Sequence, residues 1–140
     1  MRYLDRLQPL ALLVLRIVCG AVMIGHGYPK VFGGLHHHAQ FVANLGLPAW
    51  LGYVSSFTEF IGGILLLIGL FTRIAAAGIV IDLVVAIAKV HWKNGLLGQG
   101  GYQFPLTLAA IAFALIILGA GPIALDGILP GAGSRRSKKA

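Results

Sequence analysis

The sequence predicts an all-α polytopic membrane protein: a bundle of four transmembrane helices with a short interfacial helix in its first outer loop. Three observations predict this. Of 140 residues, 58% are hydrophobic and only 11% are charged, against about 45–50% and about 25% in soluble domains. The mean hydropathy is +0.88. The apolar residues gather into four runs, each close to the ~20 residues that a helix needs to cross a bilayer. A lone strand leaves its backbone groups unpaired in lipid, so the runs are read as helices.

The first run covers residues 10–32. Arg2 and Arg6 precede it as they would a signal peptide, but it is too long, carries Arg16 and lacks a small-residue cleavage site. A retained helix is expected. The connection 33–50 is the longest. It holds His36-His37-His38, then Phe41, Val42, Leu45 and Leu47 at roughly helical spacing, with Gly46-Leu47-Pro48 as a stop. The second and third runs, 51–70 and 72–90, are parted only by Phe71-Thr72-Arg73. So short a break demands a tight helical hairpin. A glycine-rich connection, 92–102, leads to the fourth run, 103–120. Residues 1–130 make one membrane domain, and the basic tail 131–140 is expected to be disordered and cytoplasmic.

Charge sets the orientation. Arg2, Arg6, Arg73, Arg135, Arg136, Lys138 and Lys139 collect on one side of the bundle; Lys93 lies on the other, with Lys30 and Lys89 near helix ends. The positive-inside rule puts both termini in the cytoplasm, as an even number of spans requires. The net charge is +7, but the positives flank apolar runs and form no patch, so nucleic acid is not an expected partner. The single cysteine, Cys19, excludes an intrachain disulfide and a Cys-x-x-Cys pair. It reads as a small buried hydrophobe. Glycines inside the runs, Gly20, Gly25, Gly27, Gly62, Gly63, Gly69 and Gly78, read as points of close helix approach.

Glu59 sits inside an apolar run, where a carboxylate is costly unless neutral, paired or wet. Counted in at ~1.5 Å per residue, Arg16, Glu59 and Asp82 come within reach of an arginine side chain. A buried charge cluster of these three is expected, either a structural clamp or a quinone and proton site. A second constellation, His26, Lys30, Lys89 and His91, forms an outer polar cup. It reads as snorkelling side chains or as an anion or head-group site. Adjacent histidines on a loop give no closed ligand set, so no metal is expected at 36–38. No nucleotide loop, nucleophile elbow or haem-attachment motif appears, so the chain has no autonomous catalytic motif and no intrinsic cofactor.

Several stretches resemble the DoxX family. Arg16 to Gly20 and His26-Gly27-Tyr28-Pro29-Lys30-Val31-Phe32-Gly33 carry the likeness in the first helix. Leu45-Gly46-Leu47-Pro48, then Glu59-Phe60-Ile61-Gly62-Gly63 on to Arg73, and Gly119-Ala120-Gly121-Pro122 to Asp126 continue it. The resemblance implies a small four-helix protein of the bacterial cytoplasmic membrane. It implies kinship with the membrane subunit of a thiosulfate:quinone oxidoreductase, and association with membrane oxidoreductase complexes or oxidative-stress defence. By position, Arg16, His26, Lys30 and Glu59 match the family's polar signature, and Asp126 would cap the end of the fourth helix or the turn after it.

Residues and resemblance together favour a membrane subunit of a redox-associated complex, partnered by the lipid bilayer and other oxidoreductase subunits. A quinone would be its cofactor, and a homo-oligomer is left open. The alternatives are a non-catalytic assembly subunit of a larger membrane complex and, behind it, a small-solute carrier, for which four helices without an evident repeat offer little.

Overall fold

The structure is a computed structural model that describes residues 1–129; the expected tail at 131–140 lies outside the described residues. Among those described the chain is helical throughout, with no strand. A short α1 (Arg2–Asp5) leads into α2 (Gln8–Val31), α3 (Leu35–Asn44), α4 (Trp50–Ile68), α5 (Thr72–Ala86) and α6 (Gln103–Leu118). A π turn (Ile87–His91) and a 3-10 turn (Trp92–Asn94) prolong α5. Three helical stretches are long and apolar enough to cross a membrane: Gln8–Val31, Trp50–Ile68 and Thr72–Asn94. The fourth run forms a helix of 16 residues, about 24 Å long.

Local chemistry sets the ends. Proline opens α2, where its missing N–H costs nothing. Gly69, at φ 72°, stops α4 in the left-handed conformation. The Leu70 N–H reaches back to the Leu65 carbonyl at 2.9 Å and the Gly69 N–H to Leu66 at 3.2 Å. That satisfies carbonyls the helix end would orphan. Phe71 follows at φ 48°, a strained value for a residue with a side chain. The Asp126 carboxylate holds it by accepting from the Phe71 N–H at 2.7 Å and the Thr72 N–H at 3.0 Å. Asp126 thus caps the start of α5 across the hairpin, and not the end of the fourth helix. An acceptor there also meets the positive end of the helix dipole.

The most extensive helix pair is α2 with α4, followed by α5 with α6. Glycines let α2 and α4 run backbone against backbone. A Cβ at Gly27 would lie 2.5 Å from the Phe60 nitrogen, and one at Gly20 would lie 2.7 Å from the Gly63 carbonyl. The pairing of 27 with 60 and 20 with 63 fixes the two helices as antiparallel. Cys19, Met23, Leu66, Ile79, Ala112 and Leu115 form the core between the helices. Helix α3 leans on α4, with Gly52 against Ala39.

Candidate functional site

Arg16 and Glu59 do not meet. Arg16 is 2% exposed and is spent on backbone. Its Nε donates to the Leu66 carbonyl at 3.0 Å, Nη1 to Ala120 at 2.8 Å and Ile123 at 2.7 Å, and Nη2 to Leu67 at 3.3 Å. The expected three-residue cluster is therefore divided. The reason is directional: a helical Cα–Cβ bond tilts toward the N-terminus. From α2 that tilt carries Arg16 away from the bundle centre, to the C-terminal carbonyls of α4, where a cation is favoured.

The same tilt acts the other way on Lys30, near the far end of α2. It sends the side chain inward. Lys30 Nζ donates to both Glu59 oxygens, at 2.9 and 2.7 Å. Glu59 is 7% exposed, so the ammonium is its answer in the apolar span. One turn along, Asp82 on α5 accepts a short hydrogen bond from Ser55 Oγ on α4. Asp82 lies close enough to Glu59 and Lys30 to feel both charges.

These groups face one cavity of about 690 Å³, between α2, α4, α5, α6 and α3. Its walls are largely apolar, with Met23, Phe41, Val42, Leu51, Val54, Ile81 and Phe104 among them. That volume falls inside the ~300–1,000 Å³ range of small-molecule sites, which pair apolar walls with a few convergent polar groups. The convergent groups are Lys30, Glu59, Asp82, Ser55 and His38, with His26, Lys89, His91 and Gln103 nearer the mouth. All four residues of the expected outer cup line this cavity, and two of the expected buried cluster join them.

The mouth is built from glycine-rich chain. The Gly100 carbonyl accepts from His91 Nδ1 at 2.8 Å and from Asn94 Nδ2 at 3.0 Å. Trp92 stacks on Tyr102 at 5.3 Å between ring centroids. The π turn at 87–91 carries Lys89 and His91 to the rim. Such turns insert one residue into a helix and recur at functional positions. His26 Nδ1 donates to the Val22 carbonyl at 2.9 Å, and its ring lies 5.9 Å from Phe104.

The histidine run does not act as a unit. His36 Nδ1 is hydrogen-bonded to Tyr53 Oη at 2.8 Å on the outside of α3. His38 lines the cavity, and its Nε2 is buried with no hydrogen-bond partner among the described residues. A buried polar atom left unpaired costs about 1–3 kcal/mol. Burial, and then the neighbouring Lys30, push the His38 imidazole below its ordinary value of 6.5, while Asp82 pulls the other way. His38 and Ser55 are the site residues the sequence reading missed. A signal for His38 was present: with Phe41, Val42 and Leu45 it falls at i, i+3, i+4 and i+7, on the apolar face of α3.

Comparison with known proteins follows the helices that build this cavity. The DoxX family model matches residues 11–92. A Bacillus subtilis (strain 168) protein named "Putative oxidoreductase CatD" is 36% identical over 114 residues, 81% of this chain and 83% of its own. A Haemophilus influenzae protein named only "Uncharacterized protein" is 32% identical over 134 residues, 90% of this chain and 96% of its own. No solved structure matches. The matched stretch runs from the start of α2 to the π turn and takes in Arg16, Lys30, His38, Glu59 and Asp82; on that match, and on the relative at 36% identity, the chain belongs to the DoxX family.

Proposed function

We propose that this protein is a membrane subunit of a redox-associated complex, and that its cavity holds the head group of a quinone. It sits in the bacterial inner membrane with four spans, α3 lying in the outer interface and both termini cytoplasmic. The observation that carries the reading is the Lys30–Glu59 pair with Asp82 and Ser55 in the wall of a largely apolar cavity of about 690 Å³. Quinone reduction to the hydroquinone takes two electrons and two protons. In this reading the two electrons come from a partner oxidoreductase. Glu59 and Asp82 are placed to hold and pass protons, and Lys30 orients Glu59 through both carboxylate oxygens. The relative named as an oxidoreductase supports the same class of role.

A second reading, an assembly subunit with no ligand, is favoured by Arg16 alone. Its four carbonyl partners tie α2 to the end of α4 and to residues 120–123 whatever the cavity contains.

The test is purification in mild detergent from the native membrane, with mass spectrometry of all that accompanies the chain. Quinone and oxidoreductase subunits are the expected companions, and Glu59→Gln, which keeps the shape but not the charge, should lose the quinone while remaining assembled. Protein carrying lipid alone would overturn the quinone half and leave the assembly reading.

A further inference from the structure

The cavity presents two cations, Lys30 and Lys89, and two carboxylates, Glu59 and Asp82. Their formal charges cancel, and Lys30 is already closed onto Glu59 at 2.7 Å. An anion entering here meets two carboxylates, and a cation meets two ammonium groups. The chemistry that fits is a neutral ring bearing hydrogen-bonding oxygens.

One buried side-chain polar atom in this wall has no partner among the described residues. Every other buried side-chain polar atom named at the site is engaged: Glu59 by Lys30, and Asp82 by Ser55. His38 Nε2 is enclosed and unpaired. Buried polar atoms are rarely left so, and each asks for a missing partner. Helix α3, which carries His38, brings Phe41, Val42 and Leu45 to the same wall, so the imidazole sits beside an apolar shelf suited to a ring.

We infer that His38 is the ligand-reading residue of the cavity, hydrogen-bonding through Nε2 to an oxygen of a neutral quinone or hydroquinone ring held against α3. The inference rests on the quinone reading above and assigns its contact. Because Nε2 is enclosed, the contact requires the imidazole to turn about its χ2 bond until Nε2 faces the cavity the residue lines. A neutral imidazole has one donor and one acceptor nitrogen. In one tautomer Nε2–H donates to a quinone carbonyl; in the other, Nε2 accepts from a hydroquinone hydroxyl. A single side chain thus serves both redox forms, without a change in the charge balance of the site.

The experiment is titration of the detergent-solubilised full chain with ubiquinone-1, for wild type, His38→Phe and His38→Gln, beside thermal unfolding of each without ligand. The glutamine amide reaches where Nε2 stood. Phe is expected to weaken binding about ten-fold, the loss of one hydrogen bond, and Gln to stay within about three-fold of the wild type. Because Nε2 has no partner among the described residues, Phe should leave the ligand-free midpoint unchanged or raised, which a merely structural histidine would not do. Equal binding by wild type and His38→Phe overturns the inference and leaves the quinone reading standing. A wild type that binds no ubiquinone-1 overturns both. Displacement of ubiquinone-1 by inorganic sulfate would overturn the neutral-ring assignment.

Discussion

His38 titrates against its surroundings. Burial is the main reason its protonated form is disfavoured; the Lys30 ammonium and His37 add to that, and Asp82 opposes it. Its folded pKa therefore lies below 6.5, the ordinary value that the unfolded chain keeps. Above 6.5 both states hold a neutral ring and nothing is lost. As pH falls below 6.5 the unfolded chain takes up a proton first, so the folded state loses stability down to the folded pKa. The thermal midpoint in detergent should fall more steeply below pH 6.5 in the wild type than in His38→Phe; parallel curves would remove His38 as the cause. At this scale the ionisable residues were legible in the sequence, and which of them meet was not. Arg16, Glu59 and Lys30 all stood out as ionisable groups near or inside apolar runs. Their partners were hidden because depth along a helix says nothing of side-chain direction. The tilt of Cβ toward the N-terminus sends Arg16 out and Lys30 in, a direction that a count of depth leaves out.

Helix α2 positions Lys30 only if it stays pressed against α4. The contact is made by glycines, and a Cβ at Gly27 would strike the Phe60 backbone at 2.5 Å. Backbone cannot rotate away as a side chain can, so the helices must separate. Gly27→Ala should lower the thermal midpoint and weaken any ligand that depends on the Lys30–Glu59 pair. Gly25 offers the control: a Cβ there meets nothing within 4 Å. Gly25→Ala should therefore gain the helix propensity of alanine, up to about 1 kcal/mol. Equal effects of the two substitutions would count against close approach as the function of Gly27. The apolar runs expected at 51–70 and 103–120 become helices at Trp50–Ile68 and Trp-free Gln103–Leu118, with glycine at both C-caps. What no pattern announced is the π turn at Ile87–His91. A widened turn keeps the same apolar residues in the same order, so hydropathy is blind to it. It moves Lys89 and His91 to the rim all the same.

Across the whole molecule the helix directions put the N-terminal end of α2, the α4–α5 hairpin and the C-terminal end of α6 together. Arg16 joins three of these parts through Leu66, Leu67, Ala120 and Ile123. Arg73 packs beside Gly119, where a Cβ would lie 3.2 Å from its guanidinium. This end also carries Arg2 and Arg6. The opposite end holds the cavity mouth, α3 and Lys93. In the orientation proposed above, which rests on the positive-inside rule, the arginine end faces the cytoplasm and the cavity opens outward. The weak point is α6, whose 16 residues make about 24 Å against a ~30 Å hydrocarbon core. Local thinning meets such a mismatch at fractions of a kcal/mol per Å, and α6 is antiparallel to α5, so it returns the chain to the arginine end. Alkaline phosphatase fused after residue 129 should then be inactive and a green fluorescent reporter bright, while phosphatase inserted at Gly98 should be active. Phosphatase activity at the C-terminal fusion would mean that α6 does not cross. The bundle would then have three spans, and the α6 wall of the cavity, with Gln103 and Phe104, would lie at the membrane surface rather than within it.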